Sequence, residues 1–296
     1  MIAEPTTELA TSRAASDEPV TYYGRPVLKE PVWIWSVPCY FFAGGVGGAA
    51  MTLGLAVQIF GGKRLQPFDG KCRWVGAIGG GLGSALLIYD LGRKARFLAM
   101  LRVFRPTSPM SVGSWILAVA TPLSAGSALF TSKAAGAAAG ILGMPLATYT
   151  AVLLSNSAVP VWLATRRTLP LLFASSSASS LASVLELAPL AKPERAIVRR
   201  FGAAARIADI VAARAVEREA CADPRVGRPL KEGVSGALWK AAKILTVSSL
   251  ILSLAGRRKM AGTLGVIGGL ALRFAVMQAG KASARDPLAT FGPQHE

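Results

Sequence analysis

Three stretches of the chain, residues 31–62, 106–132 and 134–165, contain no Asp, Glu, Lys or Arg. Each is longer than the ~20 residues an α-helix needs to cross the hydrocarbon core of a bilayer, so the pattern predicts a polytopic membrane protein. Basic clusters separate the apolar runs, as expected where loops meet a bilayer surface. On this pattern spans are expected at about 32–60, 74–91, 112–130, 135–154, 169–187, 236–255 and 260–280. The stretch 201–219 is ambiguous: Ala-rich, it holds Arg206, Asp209 and Arg214, and it fits either an interfacial amphipathic helix or a marginal span. Arg206 and Asp209 are three residues apart on one helix face, where they could neutralise each other with both side chains turned inward. Counting that segment, the expectation is an all-α fold of about eight transmembrane helices over residues 31–280. Residues 1–30 are polar and mixed in charge and lack the basic start and apolar core of a cleaved signal peptide; they are expected to form an extramembrane arm, and residues 281–296 a tail.

Small residues recur inside the spans, at Gly44, Gly45, Gly47 and Gly48, at Gly79-Gly80-Gly81-Leu82-Gly83-Ser84, and in the serines between Ser175 and Ser183. They suit close helix packing, and no strand precedes either glycine cluster to make it a phosphate loop.

A net charge of +17 raises nucleic acid as a partner, but a mean hydropathy of +0.44 and the clustering of Lys and Arg at span ends point to lipid headgroups instead. Cys39, Cys72 and Cys221 are scattered with no C-x-x-C pair, and the one histidine is His295. The chain therefore has too few ligands for an iron–sulfur cluster, a zinc site or a b-type haem of its own. Any electrons it handles must travel on a diffusible carrier or on a partner's centres.

The residues that carry chemistry are few. Asp90 closes the second span just before a basic loop; it is a candidate proton acceptor, and pairing with Arg93 is the plainer role. Arg93, Arg102 and Arg105 on that loop suit an acidic docking surface or lipid headgroups. In Pro106-Thr107-Ser108-Pro109 a hydroxyl can cap the next helix, with Pro109 in its first turn. Tyr149 is a lone phenol in an apolar helix and calls for a hydrogen-bond partner. Tyr40 lies with Trp33 and Trp35 near the start of the first span, where amphipathic rings favour the interface. Glu186 either reaches headgroups or sits inside as a proton carrier, and Asp209 is a second proton-path candidate.

These motifs resemble the NrfD family, which includes the polysulfide reductase membrane subunit. The resemblance rests on Asp90-Leu91-Gly92-Arg93, on Pro106 through Trp115, on Tyr149-Thr150 followed by Val159-Pro160-Val161-Trp162, on Leu169-Pro170-Leu171-Leu172-Phe173, and on Arg273-Phe274-Ala275-Val276 with Ser283-Ala284-Arg285-Asp286-Pro287. It implies eight helices arranged as two four-helix bundles in the bacterial inner (cytoplasmic) membrane. It also implies a quinone-interacting anchor that carries no cofactor. Such an anchor passes electrons between quinol or quinone and a four-cluster iron–sulfur subunit, itself joined to a molybdopterin or multihaem catalytic subunit. Tyr149 then corresponds to a quinone-contacting tyrosine, with Tyr40 as a second contact, and the ambiguous stretch to a sixth span with an acidic residue at about Asp209. Some relatives carry a histidine in the first span, which this chain lacks. Two other classes stay open on the residues themselves: a transporter or ion channel using Glu186 and Asp209, and a purely structural membrane anchor.

Overall fold

The computed structural model describes residues 28–91 and 95–291, and every regular element among them is helical. In chain order these are α1 (Ser36–Phe60), α2 (Gln66–Asp90), the short α3 (Ala95–Arg102), α4 (Pro109–Phe130), α5 (Lys133–Ser155), the short α6 (Pro160–Ala164), α7 (Leu169–Leu187), α8 (Lys192–Ala220), the short α9 (Pro224–Gly227), α10 (Gly233–Leu254), α11 (Arg258–Arg285) and the short α12 (Pro287–Phe291). Of the long helices, α1, α4, α5, α10 and α11 are long and apolar enough to cross a membrane.

The remaining three, α2, α7 and α8, are more polar than these five, and part of that polarity is turned into the protein. Helix α2 starts at Gln66, well before the expected Trp74, because its first turns tolerate charge: Arg73 grips Asp69 one turn back at 2.6 Å and donates to the backbone oxygens of Ser127 and Ser132. Helix α7 buries Ser176, Ser177, Ser179, Ser180 and Ser183. In α8, Arg206 and Asp209 are 0% and 4% exposed whereas Ile207 and Val211 are 53% and 62% exposed. That inverts the arrangement of a helix lying on water, and it suits a lipid surround. The start of α4 is as expected, with Ser108 accepting from the Ser111 N–H and Pro109 in the first turn.

Helix α1 packs on α2 and α5, and α4 completes a ring against α2 and α5. Likewise α7 packs on α8 and α11, with α10 joining α8 to α11. The two sets meet where α7 touches α1 and α5 and where α11 touches α1. Glycines permit the closest approaches: a Cβ at Gly47 would stand 2.8 Å from the Gly80 nitrogen, and one at Gly48 2.5 Å from the Gly143 oxygen. These are backbone-to-backbone contacts that any side chain would force apart.

Successive long helices alternate in direction. Ser36, Asp90, Pro109, Ser155 and Arg285 therefore lie at one end, and the α7–α8 and α10–α11 turns at the other. At the Asp90 end the chain is laced together. Trp33 stacks on Trp162 with centroids 5.9 Å apart, Lys281 donates to the Trp33 oxygen, and Arg285 makes two 2.9 Å hydrogen bonds to Glu30. The hydrogen bond and charge of Arg285 hold the Glu30 carboxyl below its ordinary range. The last residues of the expected N-terminal arm are thus tied to the core, while residues 1–27 lie outside the described residues. Residues 281–285, expected in the tail, are the final turn of α11.

Candidate functional site

Four helices converge at the Asp90 end of the first set. Tyr40 of α1 and Tyr149 of α5 face each other with ring centroids 6.4 Å apart and planes inclined at 57°, both buried. The Tyr40 ring passes over α2 at Gly83, where an added Cβ would touch it at 3.4 Å. The Tyr149 ring lies directly on α4: a Cβ at Gly113 would be 2.1 Å from two of its ring carbons. Glycine at 113 is thus the space into which the phenol fits. The Tyr40 hydroxyl is buried with no hydrogen-bond partner, and the partner expected for Tyr149 is not found among the described residues. Two phenols facing each other with unengaged hydroxyls are donors available to a ligand carbonyl.

One turn before Tyr40, on the same face of α1, the buried Ser36 hydroxyl donates to Asp90 at 3.0 Å. The start of α1 also sets the positive end of its dipole near that carboxylate. This contact joins the end of α2 to the start of α1; Arg93, the partner expected from sequence, lies outside the described residues. Beyond Asp90 the basic loop is pinned to α4. The Arg105 N–H donates to Ser111, Ser111 donates to the Val103 oxygen, and Phe104 meets Trp115 edge-on at 6.3 Å. Arg102 and Arg105 are exposed at this same end.

Glu186 and Asp209 belong to the second set of helices; the first decides between the two readings open for it, and the second corrects the pairing expected for Arg206. Glu186 is 3% exposed, so it does not reach headgroups. Arg206 pairs with Glu186 rather than Asp209: Nη2 meets Oε2 at 2.7 Å and Nη1 meets Oε1 at 3.2 Å, with Ser253 donating to Oε1 at 2.5 Å. Helical side chains lean toward the helix start, so Arg206 projects back to the Glu186 end and away from Asp209, which follows it. Asp209 keeps one buried oxygen without a partner, opposed by the charge of Arg273. Arg273 itself is buried, stands 3.8 Å over the Phe173 ring and donates to the Phe173 oxygen and to Ser177. Its Nε and Nη1 have no partner among the described residues. Ser36 and Gly113 escaped the sequence reading because a serine and a glycine carry no chemical signal alone. Arg273 had one: it is the single charge in the apolar run 260–280.

The sequence profile of polysulphide reductase, NrfD, matches residues 26–197, more than half of the chain. The chain belongs to the NrfD family. The NrfD match takes in Tyr40, Asp90, Gly113, Tyr149 and Glu186, and ends before Arg206, Asp209 and Arg273. NrfD proteins are membrane subunits of respiratory oxidoreductases, which agrees with the apolar helices found here and makes this a multi-pass membrane protein. Comparison with curated proteins returns no match.

Proposed function

We propose that the chain is the membrane anchor and quinone-interacting subunit of a respiratory oxidoreductase in a bacterial cytoplasmic membrane. It exchanges electrons between quinol or quinone and the clusters of a partner iron–sulfur subunit, which serves a molybdopterin or multihaem catalytic subunit. The observation that carries this reading is the facing pair Tyr40 and Tyr149. The pair lies about 6 and 9 Å inside the Asp90 end at 1.5 Å per helical residue. A quinone head group docked beside the ring pair would have phenolic donors for its carbonyls, and Asp90 at the helix end is an acceptor for protons leaving a quinol. The basic loop with Arg102 and Arg105 is at the same end, where an acidic partner would bring its clusters close to the ring pair. Of the two proton-path candidates in the second set, Asp209 has an open oxygen, whereas Glu186 is held by Arg206.

The test is quinol-dependent electron transfer by the complex purified from its native membrane. Tyr149→Phe keeps the ring on Gly113 and removes one hydrogen bond of ordinary strength, so turnover is expected to fall roughly tenfold with the protein intact. Turnover and quinone affinity both equal to wild type would remove Tyr149 from the site. In the same assay Asp209→Asn is expected to slow turnover without changing quinone affinity.

The proposal also has all eight long helices crossing the bilayer as two four-helix bundles, α1, α2, α4 and α5 in one and α7, α8, α10 and α11 in the other. Support comes from the inward charges and outward apolar residues of α8, because a charge at the bilayer centre costs about 2.5–3.5 kcal/mol on insertion scales unless it faces protein. Reporter fusions placed before Lys192 and after Ala220 are expected to report opposite sides of the membrane. The same side from both would reduce the number of spans.

A further inference from the structure

We propose that the Glu186 end of the molecule carries a binding site for the phosphodiester headgroup of an anionic phospholipid. The site is a cavity of about 300 Å³ between the α7–α8 and α10–α11 turns, lined by Lys192, Arg195, Arg199 and Arg258, with Glu186 and Ser253 at its floor. Glu186 does not offset these cations, because both its oxygens are already engaged by Arg206. The lining is therefore four positive charges around a space with no free anion.

Two of the guanidinium groups are fixed from behind. Arg258 donates through Nε and Nη2 to the backbone carbonyl oxygen of Glu186 at 3.2 and 2.9 Å and also to that of Ala188, and Arg195 donates through Nε to the backbone oxygen of Leu190 at 2.8 Å. Nη1 of Arg258 and both Nη groups of Arg195 have no partner among the described residues, nor do the side chains of Lys192 and Arg199. Rigid planar forks with donors to spare, beside a mobile ammonium, form a receptor for phosphate oxygens.

The surroundings select a lipid over a free anion. Ile251 and Leu254, in the last turns of α10 next to Ser253, are each 60% exposed, and Leu187 and Met260 are 43% and 51% exposed at the same end. A headgroup in the cavity would send its acyl chains toward the exposed apolar surface of this end, beginning at Leu187, which lines the neighbouring cavity with Arg195 and Arg258, whereas free phosphate would leave that surface uncovered. A zwitterionic headgroup brings its own cation into the group of four and is disfavoured.

The test is native mass spectrometry of the full chain in detergent with phosphatidylglycerol, phosphatidylcholine or inorganic phosphate added. One phosphatidylglycerol is expected to be retained, with phosphatidylcholine and inorganic phosphate each bound at least tenfold more weakly. Lys192→Ala/Arg199→Ala removes two exposed cations without partners, so the fold should survive. At about 1 kcal/mol per cation near a phosphate the lipid should bind roughly thirtyfold more weakly. Arg102→Ala/Arg105→Ala, at the opposite end, should bind phosphatidylglycerol like wild type. The proposal is overturned if phosphatidylcholine binds as well as phosphatidylglycerol, or if inorganic phosphate binds as tightly as the lipid. It is equally overturned if the Lys192/Arg199 variant retains wild-type affinity, the result expected of a cavity that serves a partner protein instead.

Discussion

Arg206→Met is expected to destabilise the protein by about 3–5 kcal/mol, because it strands the Glu186 carboxylate in a site with 3% exposure. Both Glu186 oxygens lose their Arg206 donors, and only Ser253 remains on the side chain. The loss comes from an uncompensated buried charge, so removing that charge as well should reverse it. Arg206→Met/Glu186→Leu is expected to return to within about 1–2 kcal/mol of wild type. An exposed pair of similar length sets the scale: Arg228 and Glu232 meet at 2.7 Å with 67% and 63% of their side-chain surface open, and Arg228→Ala should leave stability nearly unchanged. Unfolding in detergent, followed by circular dichroism, distinguishes these cases. An Arg206→Met variant as stable as Arg228→Ala would mean that the pair does not hold α7 against α8.

This pair also shows what the sequence could reveal and what it could not. The three charge-free runs located α1, α4 and α5 because apolar length is a local property. The fifth expected span, 169–187, coincides with α7, which Arg166 and Arg167 bound on one side and Pro189 and Lys192 on the other in the chain itself. Helix α8 was ambiguous because average hydropathy counts Arg206 and Asp209 as polar without knowing that α7 and α11 supply their surroundings. The same blindness put the start of α2 at Trp74: Asp69 and Arg73 look like a loop until Ser127 and Ser132 are seen to accept from Arg73. Pairing was the least legible level. Spacing offered Asp209 to Arg206, and only the direction of side chains along α8 favours Glu186, twenty residues earlier. The tyrosines were visible as unusual residues, yet their meeting depends on Gly83 and Gly113, whose role is to be small at one point of contact between helices.

Gly113→Ala is expected to have the largest functional effect of any single methyl group at the site. The added Cβ would lie 2.1 Å from Cδ2 and Cε2 of Tyr149, well inside van der Waals contact, and an aromatic ring has no flexible end that could yield. Either α4 moves away from α5 or the ring leaves its place opposite Tyr40, at a cost of about 1–3 kcal/mol for overpacking. Gly126→Ala on the same helix is the control, since nothing lies within 4 Å of its added Cβ. There the change should be neutral or stabilising by about 0.5–1 kcal/mol through helix propensity. On the quinone reading, Gly113→Ala should lower quinol-dependent turnover more than the roughly tenfold expected of Tyr149→Phe, because it displaces the whole ring and not one hydroxyl. Gly113→Ala/Tyr149→Ala tests the cause: taking away the ring removes the clash, so stability should rise relative to Gly113→Ala while turnover stays low. If Gly113→Ala alone loses stability but keeps wild-type turnover, the Tyr40–Tyr149 contact is packing and the quinone must bind elsewhere.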